Sequence, residues 1–305
     1  MRLPDYQSLI DAPTWDFINR TADYYPPDAV NMTIAEQRAV YDRMCRAFHQ
    51  GTPPGITLRD QAMGGVPCRV YEKASATVTV VYLHGGGFVV GGLESHDDVC
   101  AEICQNTGFR VVSVDYRLAP EHRHPAAFDD SLAATRAIAA RYATPILLAG
   151  DSAGGALAAS VAHAGRGTLE IRGQLLIYPG LGGDRDRGSY LTHAHAPMLS
   201  REDVLYYAQI RHNGPEPTAD PTAAALHDTD FTALPPTVII SAECDPLADD
   251  GRTYRDKIRA AGGTAEWHLE PGLVHGYLRA RHTVPRAAAS FARICTALSR
   301  LGGPQ

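Results

Sequence analysis

The feature that most restricts this chain is the pentapeptide Gly150-Asp151-Ser152-Ala153-Gly154, which follows the apolar run Ile146-Leu147-Leu148-Ala149. That order reads as a strand, a sharp turn and a helix. A serine on such a turn is pushed outward at the top of a sheet, where its hydroxyl can meet a reacting molecule. Ala153, Gly154, Gly155 and Ala156 are small, so the backbone can bend tightly without side-chain clash. Upstream, His84-Gly85-Gly86-Gly87 follows a second apolar run, Val78 to Leu83.

The rest of the chain supplies a frame for these two motifs. Strand runs are expected at Thr77–Leu83, Arg110–Asp115, Pro145–Ala149, Gly173–Tyr178, Thr237–Ala242 and Thr264–Leu269. Helical patterns fall at 95–107, 125–142, 153–164, 246–261 and 285–300. Short apolar strands alternating with helices imply an α/β fold with a mostly parallel sheet covered on both faces. Residues 56–72 carry the turn Gly64-Gly65 between two short runs, which predicts an antiparallel hairpin at a sheet edge. Residues 1–50 show helical spacing interrupted by Pro26-Pro27, which predicts two helices. Residues 184–225 break the alternation, with a helix start at Ser200 capped towards Asp203 and a stop at Asn213-Gly214-Pro215. The expected organisation is an N-terminal helical part of a cap (1–50), a core in two parts (51–183 and 226–305) and a cap insertion (184–225).

The 305 residues, net charge of −6, 45% hydrophobic content and 20% charged content suit a globular enzyme. They give no reason to expect a nucleic acid or an anionic membrane as partner. No apolar run reaches the roughly 18 residues needed to span a bilayer, and the N-terminus lacks a secretory pattern. Cys45, Cys68, Cys100, Cys104, Cys244 and Cys295 form no paired framework. Cys100 and Cys104 share a helix face, where buried packing is the better reading than a metal site. These features suggest a cytoplasmic protein.

Chemistry needs partners for Ser152. A serine hydroxyl is barely ionised near neutral pH, so a neutral histidine must take its proton and later return one to the leaving group. A carboxylate must hold that histidine in one tautomer. Asp245 ends the run Thr237 to Cys244, and His275 follows the last strand through the loop Glu270-Pro271-Gly272-Leu273-Val274. Asp249 and Asp250 lie inside the next helical segment and are expected to serve its first turn. Asp151 is expected to steady the turn. The anion formed on an attacked carbonyl needs preorganised N–H donors, which Ala153 and the glycine loop can offer. His122, His124, His193, His195 and His268 are scattered without metal spacing, and nothing calls for a metal or an organic cofactor.

With these motifs the chain resembles the bacterial hormone-sensitive-lipase-like esterases, a family of α/β-hydrolase fold. The resemblance rests on His84 to Phe88, Asp115-Tyr116-Arg117-Leu118-Ala119-Pro120-Glu121-His122, Pro125 to Asp130, Gly150 to Gly155, Asp245-Pro246-Leu247 and His275-Gly276-Tyr277. It implies an eight-stranded sheet with a helical cap and a Ser152, Asp245 and His275 triad. It also implies an oxyanion loop of Gly85, Gly86, Gly87 and Ala153, in which Gly85 shapes the turn and His84 braces it. A small acyl-ester substrate and a monomer or homodimer follow as expectations, with Phe88, Leu199, Tyr206 and Tyr207 as pocket walls. An amidase with the same triad, or a ligand-binding receptor on a hydrolase scaffold, stand as alternatives. The second loses force because all three triad residues remain.

Overall fold

The computed structural model describes residues 4–26 and 32–303. Among them, strands β1 (Thr57–Met63), β2 (Val66–Glu72), β3 (Thr79–Leu83), β4 (Arg110–Val114), β5 (Ile146–Asp151), β6 (Ile171–Ile177), β7 (Thr237–Cys244) and β8 (Ala265–Val274) form one sheet. Their order is β1-β2-β4-β3-β5-β6-β7-β8. The hairpin β1–β2 is antiparallel and sits at one edge, and β2 meets β4 antiparallel; all other pairs are parallel.

Helices cover both faces. Helices α2 (Ala12–Ala22), α3 (Ile34–Phe48), α4 (Asp97–Thr107) and α10 (Pro285–Gly302) share one buried cluster with the sheet. Helices α5 (Ala126–Arg141), α6 (Ala153–Gly165) and α9 (Ala248–Ala260) share the other. This burial explains why β3 and β5 read as continuous apolar runs rather than alternating ones. The parallel crossovers place the C-terminal ends of β3, β5, β7 and β8 on one edge, and the candidate motifs follow those ends.

Two details differ from the expectations. The N-terminal section holds a further one-turn helix, α1 (Tyr6–Leu9), capped by Asp5. Between α2 and α3 the break is present, and Pro27 lies outside the described residues. The last strand does not stop at Leu269 but runs through Pro271 and Gly272 to Val274, so the expected loop is strand. A register shift beside Ala242 and Cys244 absorbs this irregular stretch, and Glu243 accepts the Gly272 N–H at 2.7 Å.

Between β6 and β7 lie α7 (Ser189–Thr192) and α8 (Arg201–His212). Ser200 and Asp203 form a reciprocal capping box at the start of α8, and Asn213 ends it in the left-handed conformation. Contacts link this segment to the N-terminal helices: Gln37 donates to the Tyr206 hydroxyl at 2.8 Å, and the Tyr6 hydroxyl lies 3.1 Å from His193 Nδ1. All six cysteines are buried and free. Among the described residues, no helix is long and apolar enough to cross a membrane.

Candidate active site

Ser152 stands between β5 and α6 with φ 54° and ψ −120°, a conformation that costs an ordinary side chain energy. The turn is tight because α6 leaves directly under the sheet edge. A Cβ at Gly154 would stand 1.9 Å from the Leu83 carbonyl oxygen, so only glycine fits there. The strain is held by the surrounding frame, since Ser152 N donates to Ile177 O at 2.9 Å and Ser152 O accepts from Ala156 N at 3.0 Å.

The fold brings His275 and Asp245 to this serine. His275 Nε2 lies 2.8 Å from Ser152 Oγ, and its Nδ1 lies 2.7 Å from Asp245 Oδ2. Asp245 is fully buried, and its other oxygen accepts the Leu247 N–H at 2.8 Å. The carboxylate is therefore aimed by a backbone donor as well as by the ring it holds. Tyr178 packs on the imidazole at 4.8 Å between ring centres.

The glycine loop stands beside the serine. Gly86 and Gly87 line the same cavity as Ser152 and His275. Ala153 opens α6, where first-turn N–H groups have no carbonyl one turn back. Gly87 has φ 60°, and a Cβ there would come within 2.6 Å of the Tyr207 ring. Gly85 does not share this role. Its N–H donates to Asp151 Oδ1 at 3.0 Å, so it shapes the loop and has no donor left for an oxyanion.

Asp151 is the hub of a buried network that sequence reasoning reduced to turn support. Besides Gly85 it accepts from the Tyr82 hydroxyl at 2.8 Å, and it lies 3.3 Å from His96 Nε2. Burial pushes the Asp151 carboxyl up, but His96, Arg279 and the Tyr82 hydroxyl outweigh that and hold it well below the usual carboxylate range. His84 lies under the loop with Nδ1 2.9 Å from Gly85 O, stacked on Tyr116 at 4.2 Å. Burial, with His96 nearby, pushes its imidazole down to about 4, so the ring is neutral. The Tyr116 hydroxyl donates to His84 O at 2.6 Å.

The block Asp115 to Glu121, which carried no chemistry that the sequence revealed, now has a physical role. Besides the Tyr116 contact, Ala119 N donates to Phe88 O at 2.8 Å, and Arg117 binds Asp130 through its Nε and Nη2. The block therefore braces the glycine loop from behind. Tyr82 and His96 carried no signal of their own, because only the tertiary packing sets them beside Asp151.

Two cavities meet at Ser152. The smaller, about 80 Å³, is lined by Phe88, Ala153, Tyr190, Leu199, Tyr207 and Leu247, among others. The larger, about 510 Å³, is lined by His275, Gly86, Tyr41, Met198 and Arg279, among others. Phe88, Leu199 and Tyr207 thus stand where expected. Tyr206 does not: it is 43% exposed and turned to Gln37, because neighbouring residues on one helix face different directions. Asp249 and Asp250 sit in the first turn of α9, as expected, and their side chains also accept from Ser189 N at 2.9 Å and Leu181 N at 2.8 Å respectively, so both tie down the segment after β6.

Other histidines have local partners: His124 lies 3.0 Å from Asp220, and His268 lies 3.5 Å from Glu266. Among the described residues, no group of three His, Cys, Asp or Glu side chains is arranged to hold a metal ion.

The chain resembles known proteins in sequence and in fold. A family model described as the alpha/beta hydrolase fold matches residues 80–279. The carboxylesterase NlhH of Mycobacterium tuberculosis is 38% identical over 266 residues, covering 81% of this chain and 83% of NlhH. The ethyl acetate hydrolase of Pseudomonas putida is 32% identical over 259 residues, covering 80% of this chain and 81% of that protein. A crystal structure of an esterase from the bacterial hormone-sensitive lipase family superposes with a TM-score of 0.88 at 28% identity, covering 96% of this chain and 99% of that one. With two thirds of the chain inside the family model and relatives of this similarity along most of its length, the chain belongs to the α/β-hydrolase family and, within it, to the hormone-sensitive-lipase-like carboxylic ester hydrolases.

Proposed function

We propose that this protein is a serine carboxylesterase that cleaves esters of short acyl chains through an acyl-enzyme. The observation that carries this reading is His275, whose two ring nitrogens lie 2.8 Å from Ser152 Oγ and 2.7 Å from Asp245 Oδ2. His275 takes the hydroxyl proton as Ser152 Oγ bonds to the ester carbonyl carbon. The carbonyl oxygen becomes an anion and accepts from the N–H groups of Gly86, Gly87 and Ala153. The bond to the alcohol oxygen then breaks, and His275 hands its proton to that oxygen. Water, deprotonated by His275, attacks the acyl group and releases the acid and Ser152. Asp245 keeps the imidazole in the tautomer that presents a bare Nε2 to Ser152.

The leaving oxygen must come within reach of His275, so the alcohol part belongs in the larger cavity, which His275 lines. The acyl part then enters the smaller cavity of about 80 Å³, whose size favours short chains. The Pseudomonas putida relative, named for ethyl acetate, agrees with a short acyl preference. The helical segments 1–50 and 184–225 act as a cap, since α2, α3 and α8 contribute walls to the larger cavity.

The test is hydrolysis of p-nitrophenyl esters from acetate to palmitate, with Ser152→Ala run alongside. Activity should peak between acetate and hexanoate and vanish in the variant. Folded protein that turns over no ester removes the reading, and faster turnover of a matched anilide than of the ester would make the enzyme an amidase.

A further inference from the structure

We infer that Arg279 makes the larger cavity a carboxylate site, so that the preferred esters carry an anionic group on the alcohol part, as in O-acyl hydroxy acids. This rests on the ester-hydrolysis reading above. Arg279 lies four residues after His275, in the short 3₁₀ helix Tyr277–Ala280, and its side chain lines the cavity that His275 and Ser152 share. Its Nε donates to Cys45 Sγ at 3.2 Å, and its Nη2 donates to the Tyr41 hydroxyl, with the guanidinium 4.9 Å from the centre of the Tyr41 ring. Both partners are neutral. Among the described residues, no carboxylate lies within ion-pairing distance of it, and Nη1 has no acceptor. Nη1 faces the residue after His275: a Cβ built on Gly276 would stand 3.6 Å from it.

The neighbouring charges make this gap informative. Arg281, two residues on, is held by Asp98 and Glu102, both at 2.6 Å. In the smaller cavity Arg185 pairs with Glu216, and Arg211 lies 3.6 Å from the centre of the Phe88 ring while donating to Ala223 O. The two carboxylates on the larger cavity's wall are already engaged. Asp151 acts on Arg279 through space but makes no contact with it; its oxygens serve Tyr82, Gly85 and His96, and Asp203 accepts from Ser200 N and Oγ in the α8 cap. A partly buried guanidinium with open N–H donors is incomplete without an anion, and carboxylate is the group its planar fork fits. The alcohol part occupies this cavity because His275 must protonate the leaving oxygen. In the step itself the acyl group passes to Ser152 Oγ, the alcohol oxygen takes the proton from His275, and a hydroxy carboxylate departs past Arg279.

The experiment compares kcat/KM for 4-acetoxybutanoate with that for 4-acetoxybutanamide, its neutral counterpart, in the wild type, Arg279→Met and Arg279→Lys. The wild type should favour the anion by about tenfold or more, as a charge-assisted pair supports. The ratio should fall to near one in Arg279→Met, and Arg279→Lys should recover part of it. Competitive inhibition of the wild type by 4-hydroxybutanoate, and not by its amide, gives a second measure that needs no variant. A wild-type ratio of one or less, or a ratio that Arg279→Met leaves unchanged, overturns the proposal. So does a stronger preference for monoethyl glutarate, whose carboxylate is on the acyl side. If neither acetoxy compound is cleaved and p-nitrophenyl acetate is also inert, the ester-hydrolysis reading fails instead.

Discussion

The carboxylate of Asp151 accepts the backbone N–H of Gly85 at 3.0 Å, joining the serine turn to the glycine loop across 66 residues of chain. Asp151 thereby sets the distance between the Ser152 turn and the backbone N–H groups of the glycine loop. Neither loop has this geometry alone.

Removing that link should damage both stability and rate. Asp151→Ala leaves the Gly85 N–H, the Tyr82 hydroxyl and His96 buried without their acceptor, which should cost about 3 kcal/mol or more in denaturant unfolding. The kcat should fall more than KM rises, because the oxyanion donors matter most in the transition state. Asp151→Asn keeps one acceptor and should be milder. The Asp151 carboxyl titrates below the usual range, so it adds stability at neutral pH that is lost as pH falls through and below the carboxylate region. The acid limb of the stability curve should be shallower in Asp151→Asn, and superimposable curves would count against this account.

Asp250 should show the opposite sign. Burial raises its carboxyl from 3.8 to about 6, against the pull of the Leu181 and Gly183 N–H groups and the Tyr190 hydroxyl. A raised acid is favoured in its protonated form, so its contribution is fully present at low pH and declines as pH rises through about 6. Those three donors meet on one oxygen, which an asparagine can supply. Asp250→Asn should therefore gain on the wild type between pH 4 and pH 7, by at most about 3 kcal/mol. Melting temperatures across that range decide it, and a constant offset between the two proteins would sink the idea.

Gly87 and Tyr207 should be coupled. Gly87→Ala puts a methyl into the Tyr207 ring at a left-handed position, and should lower kcat about 100-fold or more by displacing an oxyanion donor. Tyr207→Ala in the same chain removes the clash but not the backbone strain, so recovery should be partial. A double-variant cycle on kcat/KM measures this, and strict additivity would show that the contact is irrelevant.

Asp245→Asn should lower kcat by about 10⁴-fold while leaving the fold intact, because the amide can hold the wrong imidazole tautomer. Rapid-quench or steady-state assays with p-nitrophenyl acetate check the size of the loss. A loss below tenfold would move the acid role to another residue.

Much of this molecule was legible in the residues alone. The order of strands and helices follows from local apolar periods, which each segment carries in its own side chains. Gly150 to Gly154 and the strand before it announce a strained serine because only small residues tolerate so close a backbone crossing. Asp245 and His275 could be chosen for lying after strands, since parallel crossovers bring such positions to one edge. What tertiary structure alone decided involves partners far apart in the chain. The burial of Tyr82 and His96 around Asp151, the bracing of His84 by Tyr116, the outward turn of Tyr206 and the place of Arg279 in the cavity depend on which side chains meet. Those meetings come from packing between distant segments, and no local pattern of hydrophobicity or turn chemistry encodes them.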